Sequence, residues 1–300
     1  MEAQVETIDT MDPDANGLVV RAATSEDAEY CARIFYDAFD SIASRHSFPV
    51  EPGSPEFTRF KISELLASDG VAGLVAQRGG RLLGSAFVDE RSAIAAIGPV
   101  TVDPAAQDDG VGRALMEAAL ERERARGVPG IRLVQTAYHY RSLALYAKLG
   151  FVVREPLSVL QGAAPQLSVP GRGIRPAHEQ DLAACGRLCA RVHGHDRDGE
   201  LRDAIAAGTA RVVERPDRVC GYATGFGYGW HAVAETDDDL IALLASAEAY
   251  VGLGILVPSR NAALLRWCLD HGLRIVQQST LMTIGLYSEP AGAYLPSILF

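Results

Sequence analysis

The feature that most constrains this chain is the run Val100-Thr101-Val102-Asp103-Pro104-Ala105-Ala106-Gln107-Asp108-Asp109-Gly110-Val111-Gly112-Arg113-Ala114-Leu115. A β-branched apolar stretch stops at a proline, crosses a polar turn with two glycines, and enters helical spacing along Val111, Leu115, Met116, Ala119 and Leu120. The pattern predicts a strand, a tight loop and a helix start. Glycine accepts positive φ and carries no Cβ, so successive N–H groups at the helix N-terminus can face an anion such as a pyrophosphate. Two familiar phosphate loops are excluded. A dinucleotide fingerprint would need glycine where Leu115 stands, and a Walker loop would need Gly-Lys-Ser/Thr where Gly112 precedes Arg113 and Ala114.

Around this loop the chain reads as alternating short elements. Leu18 to Arg21 is a strand, and Thr24 to Asp27 offers a cap and first-turn acids for a helix with Cys31, Ile34 and Phe35 on one face. A second helix spans about Pro55 to Leu66. Val71 to Ala76 and Arg81 to Val88 form a hairpin through Gly79-Gly80, and Ala95 to Val102 is the strand that enters the loop. The following helix closes at Gly127. Gly130 to Ala137 is a strand, Ser142 to Leu149 a helix, and Phe151 to Val153 a final strand, giving the order β-α-α-β-β-β-α-β-α-β.

That order, with Gln107-x-x-Gly110-x-Gly112-Arg113-Ala114 after a Val-x-Val strand, resembles the GNAT acetyltransferase superfamily. A second segment, His139-Tyr140-Arg141-Ser142-Leu143-Ala144-Leu145-Tyr146-Ala147-Lys148-Leu149-Gly150-Phe151, is similar to the family's Asn-x-x-Ala-x-x-Leu-Tyr-x-x-x-Gly-Phe motif, with His139 in place of Asn. The resemblance implies that the backbone of Val100, Thr101 and Val102 pairs with the pantetheine arm of acetyl-CoA. It implies that Gln107, Asp108, Asp109, Gly110, Val111, Gly112, Arg113 and Ala114 cradle the pyrophosphate. Tyr146 matches the general acid beside the sulfur. For the general base, Asp89, Glu90 and His139 remain candidates, since each stands at a strand end from which a proton can reach water.

The pattern then starts again. Residues 156 to 171 hold Gly162, Pro165, Pro170 and Gly171 and read as a linker. Ile174 to Cys185 repeats Val20 to Cys31 with Arg, Asp and Cys in register, and Asn261 to Leu273 repeats the Tyr146 helix with Cys268 in the tyrosine's place. The second copy lacks the glycine loop. Asp237, Asp238 and Asp239 stand there instead, putting negative charge where a pyrophosphate would sit. Cys185, Cys189, His193 and His195 have spacings that suit zinc, but the cysteines share a face with Leu188 and Val192 and read as core, so no metal is expected.

The fold class expected is α/β (α+β), two GNAT-like domains, each a mixed, mostly antiparallel sheet flanked by helices. Residues 1–17 are a flexible acidic tail, 18–160 the catalytic domain, 161–171 a linker, and 172–300 a degenerate copy. The function implied is acetyl transfer from acetyl-CoA to a primary amine by direct attack, with Tyr146, Glu90 and His139 as catalytic candidates. The alternative is a non-catalytic acyl-CoA sensor. Acceptor specificity is expected in Phe35 to Phe60. A net charge of -10 and pI near 5.2 argue against nucleic acid or an anionic membrane as partner and favour a small cationic amine. The five dispersed cysteines and the N-terminus, which lacks a signal-like pattern, fit a cytoplasmic protein. The run Leu240 to Pro258 is read as a helix ending near Ala247 followed by a buried strand, Tyr250 to Val257. A homodimer is one assembly this reading allows.

Overall fold

The computed structural model describes residues 17–48, 54–216 and 218–298. The expected acidic tail therefore lies, apart from Gly17, outside the described residues, as does part of the Phe35 to Phe60 stretch. Contacts divide the chain into two compact units, Met1–Glu90 with Ala95–Ile131, and Arg91–Ile94 with Arg132–Phe300.

In the first unit β1 (Leu18–Ala22) leads into α1 (Ala28–His46) and α2 (Pro55–Ala67), followed by β2 (Val71–Arg78), β3 (Arg81–Asp89), β4 (Ala95–Val102) and α3 (Val111–Arg126). The strands pair antiparallel in the order β1-β2-β3-β4. Side chains alternate across a strand, so β3 serves two layers. Phe87 joins Cys31, Ile62 and Val75 beneath α1 and α2, while Gly84 faces α3. A Cβ at Gly84 would meet the Thr101 carbonyl oxygen at 2.5 Å and Leu115 at 3.1 Å, so glycine here lets the first turns of α3 lie close on the sheet.

The second unit contains β5 (Gly130–Thr136) from Arg132 onward, α4 (Tyr140–Lys148), β6 (Val152–Gln161), β7 (Gly173–Pro176), α5 (Leu182–His193), α6 (Asp198–Ala206), β8 (Arg211–Arg215), β9 (Arg218–Ala223) and β10 (Ala232–Ala234). It ends with α7 (Asp237–Ala245), β11 (Ile255–Pro258), α8 (Ala262–Asp270), β12 (Arg274–Gly285) and β13 (Ala293–Leu295). Strand orders here are β5-β12-β6-β11 and β13-β10-β9-β8-β7. The fold is α+β, with mostly antiparallel sheets flanked by helices, as the sequence implies.

Two local expectations are corrected. The strand expected at Phe151 to Val153 runs on to Gln161, so the first part of the expected 156–171 linker is strand. Pro156 disguises it, yet the register of β11 on β6 ends at Pro258 opposite Leu157. At Pro156 itself the carbonyl accepts from the Ser259 N–H at 2.8 Å, just past the end of β11, where a missing N–H is tolerated. The partner of β6 is β12, more than a hundred residues on, with Glu155 opposite Leu281 and Val159 opposite Gln277. Finally, the strand expected at Tyr250 to Val257 begins only at Ile255. Gly252 (φ 74°) and Gly254 (φ 103°) turn the chain before it, and Gly254 passes so close to the Leu160 carbonyl that no side chain would fit. Among the described residues no helix is long and apolar enough to cross a membrane.

The internal repeat is visible in bonding. Arg21 donates from Nη1 and Nη2 to Asp27 at 2.8 Å each, and Asp27 accepts from the Thr24 backbone N–H at 2.8 Å. In the second copy Arg175 donates to Asp181 at 2.7 and 2.8 Å, and Asp181 accepts from the His178 N–H at 2.8 Å. The paired guanidinium is the main reason each carboxyl is held below its usual range. The associated stability is present above the ordinary carboxylate pKa and is lost as pH falls below it. Asp27→Asn and Asp181→Asn should each cost about 2 kcal/mol, within the range for hydrogen bonds to charged groups. Hydrogen exchange should place the loss around residues 18–48 in the first variant and 173–206 in the second.

Candidate functional site

The loop is built as the glycines require. Asp103 caps a single turn at Pro104–Ala106 by accepting from the Ala105 N–H at 2.9 Å. Asp108 (φ 76°) and Gly110 (φ 82°) are both left-handed, and Gly110 is the residue that caps α3. The Ala114 N–H is the first to close back on the Gly110 carbonyl, at 3.0 Å. The N–H groups of Val111, Gly112 and Arg113 precede that bond and have no carbonyl within the helix to meet. With two left-handed residues just upstream, this is a concave array of donors at the positive end of a sixteen-residue helix. Arg113 is turned along the helix toward Glu117 at 3.1 Å, and Asp109 lies 3.6 Å from Arg78.

The strand feeding the loop is bent at the right place. Ala86 of β3 pairs with Val100, yet Val88 pairs with Ile97, so β4 carries one extra residue around Gly98-Pro99. A bulge of this kind kinks a strand and re-aims its backbone groups. Thr101 points the other way from Val100 and Val102, and its buried hydroxyl bonds the Ser85 hydroxyl at 3.0 Å. Thr101 thus anchors β4 through its side chain, leaving the backbone of residues 100–102 as the part open to function.

His139 and Tyr146 belong to the second unit. His139 is the residue before α4, and its carbonyl accepts from Gln135 Nε2 and Ser142 Oγ at 2.9 Å each. Tyr146 is half-buried on α4, 6.0 Å from the Phe151 ring between centroids, and desolvation pushes its phenol up to about 12. At neutral pH it is a protonated, desolvated hydroxyl, the state a general acid needs.

Glu90 is placed differently from what a base requires. It follows β3, whose last residue, Asp89, is opposite Ala96, four residues along β4 from Val100 and so about 13 Å away. Burial opposes its charge, but Arg122, at 2.5 and 3.2 Å, and Arg126, at 3.7 Å, hold it ionised and below its usual range. It is also hydrogen-bonded to Glu123, which is fully buried and pushed up to about 7 by that burial and by Glu90. A carboxylate committed to two guanidinium groups and a carboxylic acid is a poor proton acceptor. The sequence reading missed Glu123 because a single glutamate in an Arg/Glu-rich helix looks like solvated surface.

In the second copy the equivalent helix start is filled from within. Thr236 caps α7 by accepting from the Asp239 N–H at 3.3 Å. Asp239, fully buried, takes Arg215 at 2.6 Å and Arg172 at 3.1 Å, while Asp237 takes Asn261 Nδ2 at 2.6 Å. The Cys268 thiol is buried and pushed up to about 12. Cys185 and Cys189 sit in the core with Leu188, Val192, Tyr222 and Val233.

Residues 35–151 match the family described as Acetyltransferase (GNAT) family. The match covers 117 of the chain's 300 residues, and this stretch is similar to a GNAT acetyltransferase domain. The match spans the bulged strand, the glycine loop and Tyr146. In fold the whole chain is similar to an acetyltransferase from Pyrococcus horikoshii, at 23% identity and TM-score 0.69, covering 94% of this chain and 93% of that one. It is also similar to a GCN5-related N-acetyltransferase from Sphaerobacter thermophilus, at 15% identity and TM-score 0.61 over 93% of this chain and 98% of that one. A tandem GNAT protein from the clavulanic acid biosynthesis pathway aligns at 14% identity and TM-score 0.55, over 89% of this chain and 98% of that one. No curated protein matches the chain. The likeness in fold to these three structures extends over both halves of the chain.

Glu123 keeps its proton in the folded state where an unfolded glutamate would lose it. Its raised pKa means that stability falls as pH rises from about 4.5 to about 7. Glu123→Gln should flatten denaturation midpoints across that window, as urea melts at successive pH values would register.

Proposed function

We propose that the chain is an acetyl-CoA-dependent N-acetyltransferase whose N-terminal half does the chemistry. The observation that carries this reading is the unspent row of N–H groups at Val111, Gly112 and Arg113 behind left-handed Asp108 and Gly110. Gln107, Asp108 and Asp109 begin this cradle and Ala114 closes it. The diphosphate of acetyl-CoA fits such a cradle, and Arg113 can swing from Glu117 to add charge. The bulged strand at Val100, Thr101 and Val102 offers backbone groups to the pantetheine amides and one N–H to the thioester oxygen.

The amine nitrogen attacks the thioester carbonyl carbon, forming the C–N bond as the carbonyl electrons move onto oxygen. Collapse breaks the C–S bond, and Tyr146 gives its proton to the departing thiolate. The proton lost by the amine passes to the imidazole of His139. The acceptor in this reading is a small primary amine drawn by the chain's net charge of -10. The C-terminal copy holds no second acetyl-CoA, because Asp239, Arg215, Arg172 and Thr236 already occupy the start of α7.

Acetyl-CoA titrated calorimetrically into the full chain should bind once per chain. Gly110→Val, which forces a β-branched residue to positive φ, should weaken that binding about tenfold or more. Tyr146→Phe should leave acetyl-CoA binding intact and lower turnover, followed by thiol release with an amine panel, by about 10²–10⁴-fold. His139→Ala should remove the acidic limb of the pH–rate profile. Two bound acetyl-CoA molecules per chain, or unchanged turnover in Tyr146→Phe, would overturn this reading, and binding with no turnover on any amine would place the chain with acyl-CoA sensors.

A further inference from the structure

The hairpin between β2 and β3 reaches the glycine loop with two arginines. Gly79 (φ 55°) and Gly80 (φ 79°) make its two-residue turn, both at positive φ, and the register sets Arg78 directly opposite Arg81. Arg81 meets the start of the loop and Arg78 its end. Arg81 donates from Nη2 to Asp103 Oδ2 at 2.8 Å, a carboxylate only 19% exposed. The other oxygen of Asp103 accepts from the Ala105 N–H, so Arg81 is committed to holding the turn that precedes the cradle.

Arg78 is held differently. Its Nη1 lies 3.6 Å from Asp109 Oδ2, too far for a hydrogen bond, and that carboxylate is 54% exposed. Its Nε is shielded from solvent and has no hydrogen-bond partner. An ion pair this long and this exposed contributes little to stability, so exchanging it for a better anion costs little. Asp109 stands two residues before Val111, whose N–H opens the row that α3 cannot satisfy itself. Asp108 and Asp109 therefore bring negative charge beside a cradle suited to a diphosphate, and a ligand there needs a cation to offset it. Arg113, on the helix itself, is drawn along α3 to Glu117. Arg78 comes from another strand and already borders the loop. Its planar fork can give two parallel N–H bonds to phosphate oxygens, which the long contact to Asp109 does not use.

We propose that Arg78 is a phosphate-binding residue of the cradle, its guanidinium turning from Asp109 to the diphosphate of acetyl-CoA. This rests on the acetyl-CoA reading above and adds to it a side chain that lies outside the loop and its helix.

The test is calorimetric titration of the full chain with acetyl-CoA and with 3′-dephospho-CoA, which keeps the diphosphate. Arg78→Gln should weaken both about tenfold. The decisive variant combines Arg78→Gln with Asp109→Asn. It should stay about tenfold weaker than Asp109→Asn alone, because the contact to the ligand is lost in both backgrounds. Affinity in the double variant equal to that of Asp109→Asn alone would overturn the proposal and leave Arg78 only to neutralise Asp109. Unchanged affinity in Arg78→Gln would also overturn it, as would a loss seen with acetyl-CoA and absent with 3′-dephospho-CoA, which moves the contact to the 3′-phosphate. Urea melts without cofactor check that Arg78→Gln is folded. If it is not, Arg78→Lys, which keeps the charge without the planar fork, should still bind about threefold more weakly. Acetyl-CoA failing to bind the unaltered chain would remove the transferase reading itself, whereas binding there with no change in Arg78→Gln removes this inference alone.

Discussion

A helix opens with backbone N–H groups that its own turns cannot satisfy, and much of this molecule follows from how each helix start meets that constraint. The chain enters α1 and α5 through single tight turns in which the Ala28 and Leu182 N–H groups meet the Ser25 and Glu179 carbonyls, each turn braced by an aspartate, Asp27 or Asp181, fixed from behind by an arginine of the preceding strand. At α7 the solution is Thr236 with buried Asp239, braced by Arg215 and Arg172. Only at α3 does a glycine in left-handed conformation open the helix without a side-chain cap. Among these four, α3 is the one opened by a glycine, and it lies within the stretch that matches the GNAT family.

The two halves repeat one bonding pattern yet differ in what their charges do. Arg21–Asp27 and Arg175–Asp181 preserve the same bidentate geometry. The glycine loop and Tyr146 have no such counterpart, because aspartates and Cys268 hold those places. Once an acid is buried between two guanidinium groups at a helix start, the helix gains a stable cap and loses its affinity for anions. A modest change of residue type therefore separates a helix start with open N–H groups from one closed by a buried acid.

Glu90 shows how environment overrules residue type. A glutamate just past a strand end is a natural candidate for a base, and its position in sequence says nothing against it. Two arginines and a protonated glutamate on α3 draw it into a structural cluster instead. Tyr146 moves the other way, since desolvation pushes its phenol further up, to about 12, and favours the neutral hydroxyl.

By itself the sequence determined the strand, loop and helix at 100–126, the Tyr146 helix, the GNAT resemblance and the internal repeat. Each is written in residues close together in the chain, where glycine's freedom at positive φ and the helical period act locally. Tertiary structure decided what depends on distant partners. It extended β6 through Pro156 because β12 lies beside it, delayed β11 because Gly254 must pass the Leu160 carbonyl, and paired Glu90 with Glu123. It also brought the Arg132 guanidinium over the Tyr287 ring, from residues widely separated in the chain. Charge and hydrogen bonding act through space, so a residue's chemistry is set by neighbours that local periodicity does not reveal.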